Sequence, residues 1–283
     1  MNQLGGKWTV EKLEILETYA RQYLKVFKNN SISSLLYFDG FAGSGDISIS
    51  KGDRNERTEI EGSAVRILSL DDPRSFDIYY FVEKDKSFAQ SLESRLKREF
   101  PNKRTFVLDE DCNQKLKDMS KFLRSPKGSK IKVLGFIDPK GMQLEWEALE
   151  SLAGLSIDLW ILNPTSGTNR LLKRKGDINE AWLKRLEIFL GMPKDEVLKY
   201  FYQESKQQSL FGRTEIVKQR DSINRLHNLY SERIRGNIFK YVSEPRVLRD
   251  SKNHILFHFF MVTNNEIGLK IANSVVNPKI QKL

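Results

Sequence analysis

The sequence predicts an α/β fold in which a mostly parallel sheet is covered by helices on both faces. Three observations lead to this class. Five apolar segments of strand length alternate with helical patterns, as in successive βαβ units. Four strand ends carry acidic residues, and the first strand runs directly into a glycine-rich turn. Ligands of such sheets bind beyond the carboxyl ends of the strands, so we expect a ligand site there.

Apolar periodicity assigns the elements of the predicted sheet in chain order. The predicted elements are a helix at 9–28, a strand at 34–39, a helix at 62–70, a strand at 76–83, a helix at 85–100, a strand at 104–108, a helix at 111–123, a strand at 131–139, a helix at 145–152 and a strand at 157–164. The polar segment 46–61 is predicted to be an inserted loop that covers the site.

The pattern changes after Gly167. Helices are predicted at 179–190, 194–202 and 214–234, strands at 238–243 and 255–262, and a last helix at 267–276. Neither a linker nor a repeat divides the sequence. We therefore predict one domain over 1–283, with a helical insertion at 168–235.

Composition indicates the class of partner. The chain has 283 residues, and 47 Lys and Arg against 37 Asp and Glu give a net charge of +10. This balance favours a polyanion such as nucleic acid, although a basic soluble protein without such a partner is the alternative. Cys112 is the only cysteine, which suits the reducing cytoplasm. No apolar run approaches the roughly 20 residues that span a bilayer, so we expect a cytoplasmic protein without membrane contact.

The turn after the first strand indicates a cationic ligand. It reads Asp39-Gly40-Phe41-Ala42-Gly43-Ser44-Gly45, and it lacks the Gly-Lys-Ser/Thr of a P-loop and the spacing of dinucleotide-binding turns. An acid at position 39 would repel a pyrophosphate but suits an ammonium group. S-adenosylmethionine carries such a group, so Asp39, Gly40, Gly43 and Gly45 are predicted to bind it.

Two further acids are candidate cofactor ligands. Glu83 ends the second strand, and its two carboxylate oxygens can accept from both hydroxyls of a ribose. Asp111 follows the third strand and is predicted to accept from an adenine amino group. The alternatives are a turn aspartate at position 39 and helix N-caps at Glu83, Asp85 or Asp111.

Together these motifs resemble class I S-adenosylmethionine-dependent methyltransferases over roughly 35–167, with the last two strands as the closing hairpin of a Rossmann-like sheet. More narrowly, the chain is similar to the three-Cys-motif partner protein family. The matching segments are Lys7-Trp8-Thr9, the turn at 37–45, Gly62-Ser63-Ala64, Asp111-Cys112-Asn113, Ile137-Asp138-Pro139-Lys140-Gly141 and Ile267-Gly268-Leu269-Lys270. The resemblance implies a bacterial or phage context and a partner protein that bears three cysteines.

The fourth strand end corresponds to the catalytic tetrad of amino-methyltransferases, Asp/Asn-Pro-Pro-aromatic. In those enzymes the acid or amide and a backbone carbonyl accept from the target amine, and the aromatic ring stacks on the flipped base. Asp138 and Pro139 are therefore predicted to be catalytic. Lys140 and Gly141 replace the second proline and the aromatic residue, which weakens the case for base methylation. Lys140 is predicted either to contact a phosphate or to be an ordinary exposed lysine.

Polar and basic residues beyond the fifth strand are candidate substrate ligands. Asn163 forms a second polar lip, and Arg170, Lys173 and Arg174 are predicted to hold a nucleic-acid backbone. A solvated helix face is the alternative for the basic residues. The three histidines and the single cysteine do not have the spacing of a metal site.

These observations predict an S-adenosylmethionine-dependent methyltransferase that acts on nucleic acid and works with a three-cysteine partner. The first alternative is a catalytically degenerate recognition module in a mobile-element or phage-defence locus. The second is phosphate chemistry at a divalent metal held by Asp39, Glu83 and Asp138.

Overall fold

The computed structural model describes residues 4–29, 34–51, 56–205 and 216–278. The helices are α1 Lys7–Val26, α2 Ser63–Leu68, α3 Lys86–Glu99, α4 Cys112–Leu123, α5 Trp146–Glu150, α6 Thr165–Asn169, α7 Glu180–Leu190, α8 Lys194–Phe201, α9 Ser222–Ile234 and α10 Glu266–Val276. The strands are β1 Leu4–Gly5, β2 Ser34–Asp39, β3 Asp46–Lys51, β4 Glu56–Glu61, β5 Ile78–Val82, β6 Thr105–Leu108, β7 Ile131–Ile137, β8 Ile157–Asn163, β9 Tyr202–Glu204, β10 Ile216–Lys218, β11 Tyr241–Val242, β12 Arg246–Arg249 and β13 Ile255–Thr263. None of these helices is both long and apolar enough to cross a membrane.

The main sheet has the order β6-β5-β2-β7-β8-β13, and both β11 and β12 pair with the outer edge of β13. The five strands from β6 to β8 are parallel, whereas β13 runs antiparallel to β8. This arrangement confirms the predicted Rossmann-like class I methyltransferase sheet with its antiparallel closing hairpin. The strand order reverses between β2 and β7, so the switch point where ligands bind in such sheets lies between these two strands.

Helices cover both faces of the sheet because its central strands are apolar on both sides. On β2, Leu35 and Tyr37 face one core, which α1, α2, α3 and α10 complete, while Leu36 and Phe38 face the other. The second core includes residues of α4, α5, α7, α8 and α9. Alternation along each strand therefore decides which layer a strand-end side chain faces.

The segment predicted as a polar loop, 46–61, is a hairpin within the part that the structure describes. Strand β3 pairs with β4 in antiparallel register and with β1 in parallel register. In β3 the isoleucines Ile47 and Ile49 alternate with polar residues, and Ile47 lies opposite Ile60, the single isoleucine of β4. This period-2 pattern is a strand signal, but the high polarity of the segment concealed it. Residues 52–55, at the tip, lie outside the described residues.

Two elements in the C-terminal half were predicted with the wrong bounds. The helix predicted at 214–234 begins only at Ser222 because Asp221 is left-handed, with φ of 55°, and Ile216–Lys218 is a strand. Residues 214 and 215 lie outside the described residues. The strand predicted at 238–243 is reduced to Tyr241–Val242. Arg246–Arg249, for which no element was predicted, is a strand that pairs with β13. The division into one domain with an insertion at 168–235 stays a prediction.

Candidate functional site

A recess lies at the switch point, between the glycine turn and the end of β7. Its lining combines the residues of the turn with side chains from α1, α3 and the start of α2: Leu13, Phe41, Ala42, Gly43, Ser44, Gly45, Asp46, Ile47, Gly62, Ser63, Phe88, Asp138 and Lys140. The recess is narrow, because only about 30 Å³ of its space admits water. A larger cavity of about 620 Å³ lies between α1 and α10, but none of the four predicted acidic strand ends lines it.

Asp39 is a fully buried carboxylate behind this recess. The Ser63 hydroxyl donates to its Oδ2 at 2.6 Å, and the Phe41 N–H donates to its Oδ1 at 3.2 Å. Burial raises the pKa of Asp39 to about 7, although these hydrogen bonds and the charge of Lys12 act in the opposite direction. The predicted turn role of Asp39 is therefore real, since it bonds the backbone two residues on. Its carboxyl group lies on the same face of the sheet as the recess.

Asp138 lines the recess and forms an ion pair with Lys12 of α1. Asp138 lies on the same face of the sheet as Asp39, and its charge contributes to the raised pKa of Asp39. Sequence reasoning missed Lys12, which is 1 % exposed. The available signal was a lysine within the apolar stripe of α1, since Leu13, Leu16 and Tyr19 are buried beside it.

The glycines of the turn have different structural roles. A Cβ on Gly40 would lie 2.5 Å from Cys112 Sγ and 2.8 Å from Ile137 Cδ1, so Gly40 is required by packing. Gly43 has φ of +64°, and a Cβ there would meet nothing within 4 Å. Gly45 has φ of +96° and packs closely on Leu92. Of the three, Gly43 combines an open side with a conformation that favours glycine, and it lines the recess.

Glu83 directly follows β5 and forms a hydrogen bond to the glycine turn. The Gly43 N–H donates to its Oε2 at 3.0 Å, and the Asp85 N–H donates to its Oε1 at 2.9 Å. Each carboxylate oxygen has a second acceptor position, so these bonds leave capacity for two hydroxyl donors. Glu83 does not cap a helix, unlike Asp85, which accepts from the backbone of Ser87 and Phe88.

Asp111 is the N-cap of α4, as the alternative interpretation proposed. Its carboxylate accepts from the Asn113 N–H at 2.9 Å and pairs with Lys84 at 3.1 Å. The hydrogen bonds and the Lys84 charge lower the pKa of Asp111 against the opposing and largest single contribution, burial. The residue does not line the recess, so its contact with an adenine stays a prediction.

The segment after Asp138 shapes the mouth of the recess. Pro139 is buried, and the Lys140 N–H donates to Gln143 Oε1 at 2.7 Å. The exposed side chain of Lys140 reaches across to Phe88, with Nζ 5.5 Å from the ring centroid. Gly141 is left-handed, with φ of +80°, and a Cβ there would meet nothing within 4 Å. The position that would hold a stacking aromatic residue is therefore an exposed turn.

The structure does not bring the remaining substrate candidates to the recess. Asn163 is buried on the opposite face of the sheet from Asp138, beside His258, with which it pairs across β8 and β13. Arg170, Lys173 and Arg174 are exposed after α6. Lys173 Nζ lies 5.4 Å from the centroid of the Trp182 ring. These cations are free to meet a large ligand, but they do not line the recess.

Comparisons with known proteins find similar folds among solved structures. No protein-family model matches the chain, and no curated protein matches it significantly. A Legionella pneumophila protein, LPL1258, is 14 % identical with a TM-score of 0.43, and the match covers 94 % of this chain and 93 % of that one. Trm1 from Pyrococcus horikoshii, solved with S-adenosyl-L-methionine, is 9 % identical with a TM-score of 0.47, and the match covers 94 % of this chain and 58 % of that one.

Spermidine synthase from Thermotoga maritima is also similar, with 9 % identity and a TM-score of 0.42, and the match covers 98 % of this chain and 66 % of that one. At these sequence identities and TM-scores the similarity concerns the path of the backbone alone. We therefore base the functional proposal on the residues of this protein, within a class I methyltransferase-like fold.

Proposed function

We propose that the protein is an S-adenosylmethionine-dependent methyltransferase that acts on nucleic acid. The observation that carries this proposal is the recess at the switch point, where an open left-handed glycine lies beside acidic strand ends. Asp39, Glu83 and Asp138 all converge on the glycine turn or on the wall of the recess. This convergence is the arrangement expected of a pocket for an adenosyl ligand with a cationic side chain.

The residues of the recess fit the cofactor chemically. Two carboxylates, Asp39 and Asp138, lie on one face of the sheet against a single buried ammonium, that of Lys12. Carboxylates in this position suit a ligand with an ammonium and a sulfonium group. Gly43 provides the open surface for close approach of the ligand, and its neighbour Glu83 retains acceptor positions for ribose hydroxyls. The exposed side chain of Lys140, at the mouth, has to move to widen the narrow recess.

When bound, S-adenosylmethionine supplies an electrophilic methyl group. In this proposal Asp39, Gly40, Gly43, Gly45 and Glu83 hold the cofactor, with Asp111 as a predicted adenine contact. Asp138 accepts a hydrogen bond from the acceptor group, and the buried Pro139 fixes the turn that presents it. Catalysis then depends mainly on holding the acceptor in line with the methyl group.

Calorimetry with S-adenosylmethionine is the direct test. We expect binding to the wild type and at least tenfold weaker binding to Glu83→Gln, in line with the loss of a charge-assisted hydrogen bond. Glu93→Gln is the matched control, because it makes the same charge change on the outer face of α3, where Glu93 pairs with Lys97. A wild type that does not bind, or a Glu83→Gln variant that binds like Glu93→Gln, contradicts the cofactor assignment.

The nucleic-acid part of the proposal depends on exposed cations. Arg170, Lys173, Arg174 and Lys140 carry no carboxylate partner within the described part of the chain, and the net charge of +10 favours a polyanion. A tritium-transfer screen over DNA, RNA and purified protein, with S-adenosylmethionine as the donor, identifies the acceptor. Transfer to protein alone would contradict this part of the proposal.

Two observations favour a second candidate, a recognition module that works with a three-cysteine partner. Gly141 offers no side chain to stack on a base, and Lys12 already occupies one oxygen of Asp138. Co-expression with the gene neighbour that encodes three cysteines, followed by size-exclusion chromatography, tests this alternative. A stable complex without methyl transfer to DNA, RNA or protein selects it over the enzyme.

A further inference from the structure

Lys12 is a buried cation at the wall of the recess. Its side chain is only 2 % exposed, and Nζ pairs with Asp138 Oδ2 across a sequence separation of 126 residues. Nζ also lies 5.3 Å from the Trp8 ring centroid and 5.8 Å from that of Phe136. An ammonium loses its hydration in such a place, and the opposite charge of Asp138 and the aromatic faces replace part of the lost stabilisation.

The need for stability does not by itself explain a charged residue at this position. Replacing both members of a buried ion pair by apolar groups often leaves stability unchanged or increases it. The neighbours of Lys12 on α1, Leu13 and Leu16, are buried and apolar, so a methionine at position 12 would continue the same stripe. The pair differs from a structural pair in its location, because Asp138 lines the recess and keeps 13 % of its side chain exposed.

Lys12 therefore determines the net charge that a ligand in the recess experiences. Asp138 contributes negative charge at the wall of the recess, and Lys12 offsets it, whereas Asp39 is buried behind the recess. Asp46 also lines the recess, but Arg95 compensates it at 2.5 Å. Lys140 is exposed at the mouth, where water screens its charge. Removal of Lys12 would leave Asp138 beside the ligand without a buried counter-charge.

We propose that Lys12, by offsetting the charge of Asp138, sets how strongly the recess prefers a cationic ligand over a neutral ligand of nearly the same shape. The inference rests on the proposed function, which supplies the matched pair of ligands. S-adenosylmethionine carries a sulfonium, whereas S-adenosylhomocysteine has an uncharged sulfur and lacks one methyl group. A more negative recess would bind the cationic ligand more tightly. The sulfonium loses its charge when the methyl group is transferred, so this tighter binding would not accelerate the transfer. Lys12 limits that binding and is a specificity-determining residue.

The experiment measures Kd for both ligands by calorimetry and compares the ratio of Kd for S-adenosylhomocysteine to Kd for S-adenosylmethionine. We expect Lys12→Met to raise this ratio about tenfold and Asp138→Asn to lower it about tenfold, from the Coulomb energy of one charge in a partly buried site. The double variant Lys12→Met/Asp138→Asn returns the ratio to within about threefold of wild type. Lys97→Met, at an exposed lysine that pairs with Glu93, leaves it unchanged.

Thermal unfolding of each variant separates folding from binding. If Lys12→Met does not fold, Asp138→Asn and the double variant decide, because they differ only in Lys12 and the ratio must rise between them. A ratio in Lys12→Met within about twofold of wild type, with both ligands bound, overturns the role of Lys12 and leaves the cofactor assignment standing. A wild type that binds neither ligand overturns both.

Discussion

The two halves of the carboxyl edge of the sheet both bury polar side chains, but they differ in whether these side chains have hydrogen-bond partners. At β2 and β7, each oxygen of Asp39 accepts a hydrogen bond, and Asp138 pairs with Lys12. At β8 and β13, both amide atoms of Asn163 and the Nδ1 of His227 lack hydrogen-bond partners among the described residues. The first half opens into a recess, whereas α6 and α9 pack over the second.

The second half is built around two stacked imidazole rings. His227 and His258 lie with ring centroids 4.4 Å apart at an interplanar angle of 7°. Burial lowers the pKa of His227 to about 3 and that of His258 to about 4, so both rings are neutral at pH 7. Thr165 and Asn224 bond the two nitrogens of His258. The difference between the halves teaches that a polar strand end is open to a ligand only where no helix covers it.

The largest expected effect is the pH dependence of stability that comes from ionisation of Asp39. Its pKa is about 7 in the folded protein and 3.8 without burial, so the folded state binds more protons between these values. The free energy of unfolding therefore falls as pH rises from about 4 to 7, by about 4 kcal/mol in total. Asn at position 39 cannot ionise, so urea unfolding of Asp39→Asn should lack this contribution. Parallel pH profiles for the two proteins would contradict the prediction.

Substitutions at two glycines of the same turn distinguish an effect on packing from an effect on ligand binding. Gly40→Ala forces a methyl group against Cys112 and Ile137 and should lower the free energy of unfolding by about 1–3 kcal/mol, with partial recovery in Gly40→Ala/Cys112→Ala. Gly43→Ala has open space but a left-handed backbone, so it should cost about 1 kcal/mol and weaken cofactor binding. Urea unfolding and calorimetry measure the two quantities. Equal stability losses with equal affinities would remove the distinction.

The covered half should respond to substitution in stability alone. Asn163→Leu removes two buried amide atoms that lack partners, so it should raise the free energy of unfolding by about 1 kcal/mol. Its affinity for S-adenosylmethionine should stay within about twofold of wild type. A clear loss of affinity would show that the Asn163 region belongs to the ligand site after all, and the contrast between the halves would fail.

The smallest expected effect is at Asp111. Asn caps helices as well as Asp, so Asp111→Asn should change the free energy of unfolding by only a few tenths of a kcal/mol. Its carboxylate is already engaged by Asn113 and Lys84, and we expect cofactor affinity to fall less than about threefold. A loss of tenfold or more in calorimetry would instead make Asp111 a main adenine contact.

The central sheet could be predicted from sequence because its strands are apolar on both faces and end in recognisable turns. β2, for example, has the predicted bounds 34–39. The hairpin at β3 and β4 could not, because its alternation carries few apolar residues. The helix predicted from 214 failed at Asp221, whose left-handed conformation leaves no periodic signal.

The site was predicted in part for the same physical reasons. Acids at strand ends reveal the edge of the sheet, so Asp39 and Asp138 could be placed near each other. Sequence does not reveal which residue from a distant helix pairs with them, and Lys12 was missed for that reason. Nor does it show what covers a strand end, and the burial of Asn163 depends on α6 and α9, whose docking is a tertiary event.

The packing of Cys112 against Gly40 has a practical consequence. The only thiol of the chain is 4 % exposed beneath the ligand turn, and burial raises its pKa, so alkylating reagents reach it only when this region opens. The rate at which iodoacetamide modifies Cys112 therefore reports how often the region around Cys112 opens, and the measurement requires no engineered label. A molecule that binds at the glycine turn should lower the rate of Cys112 modification.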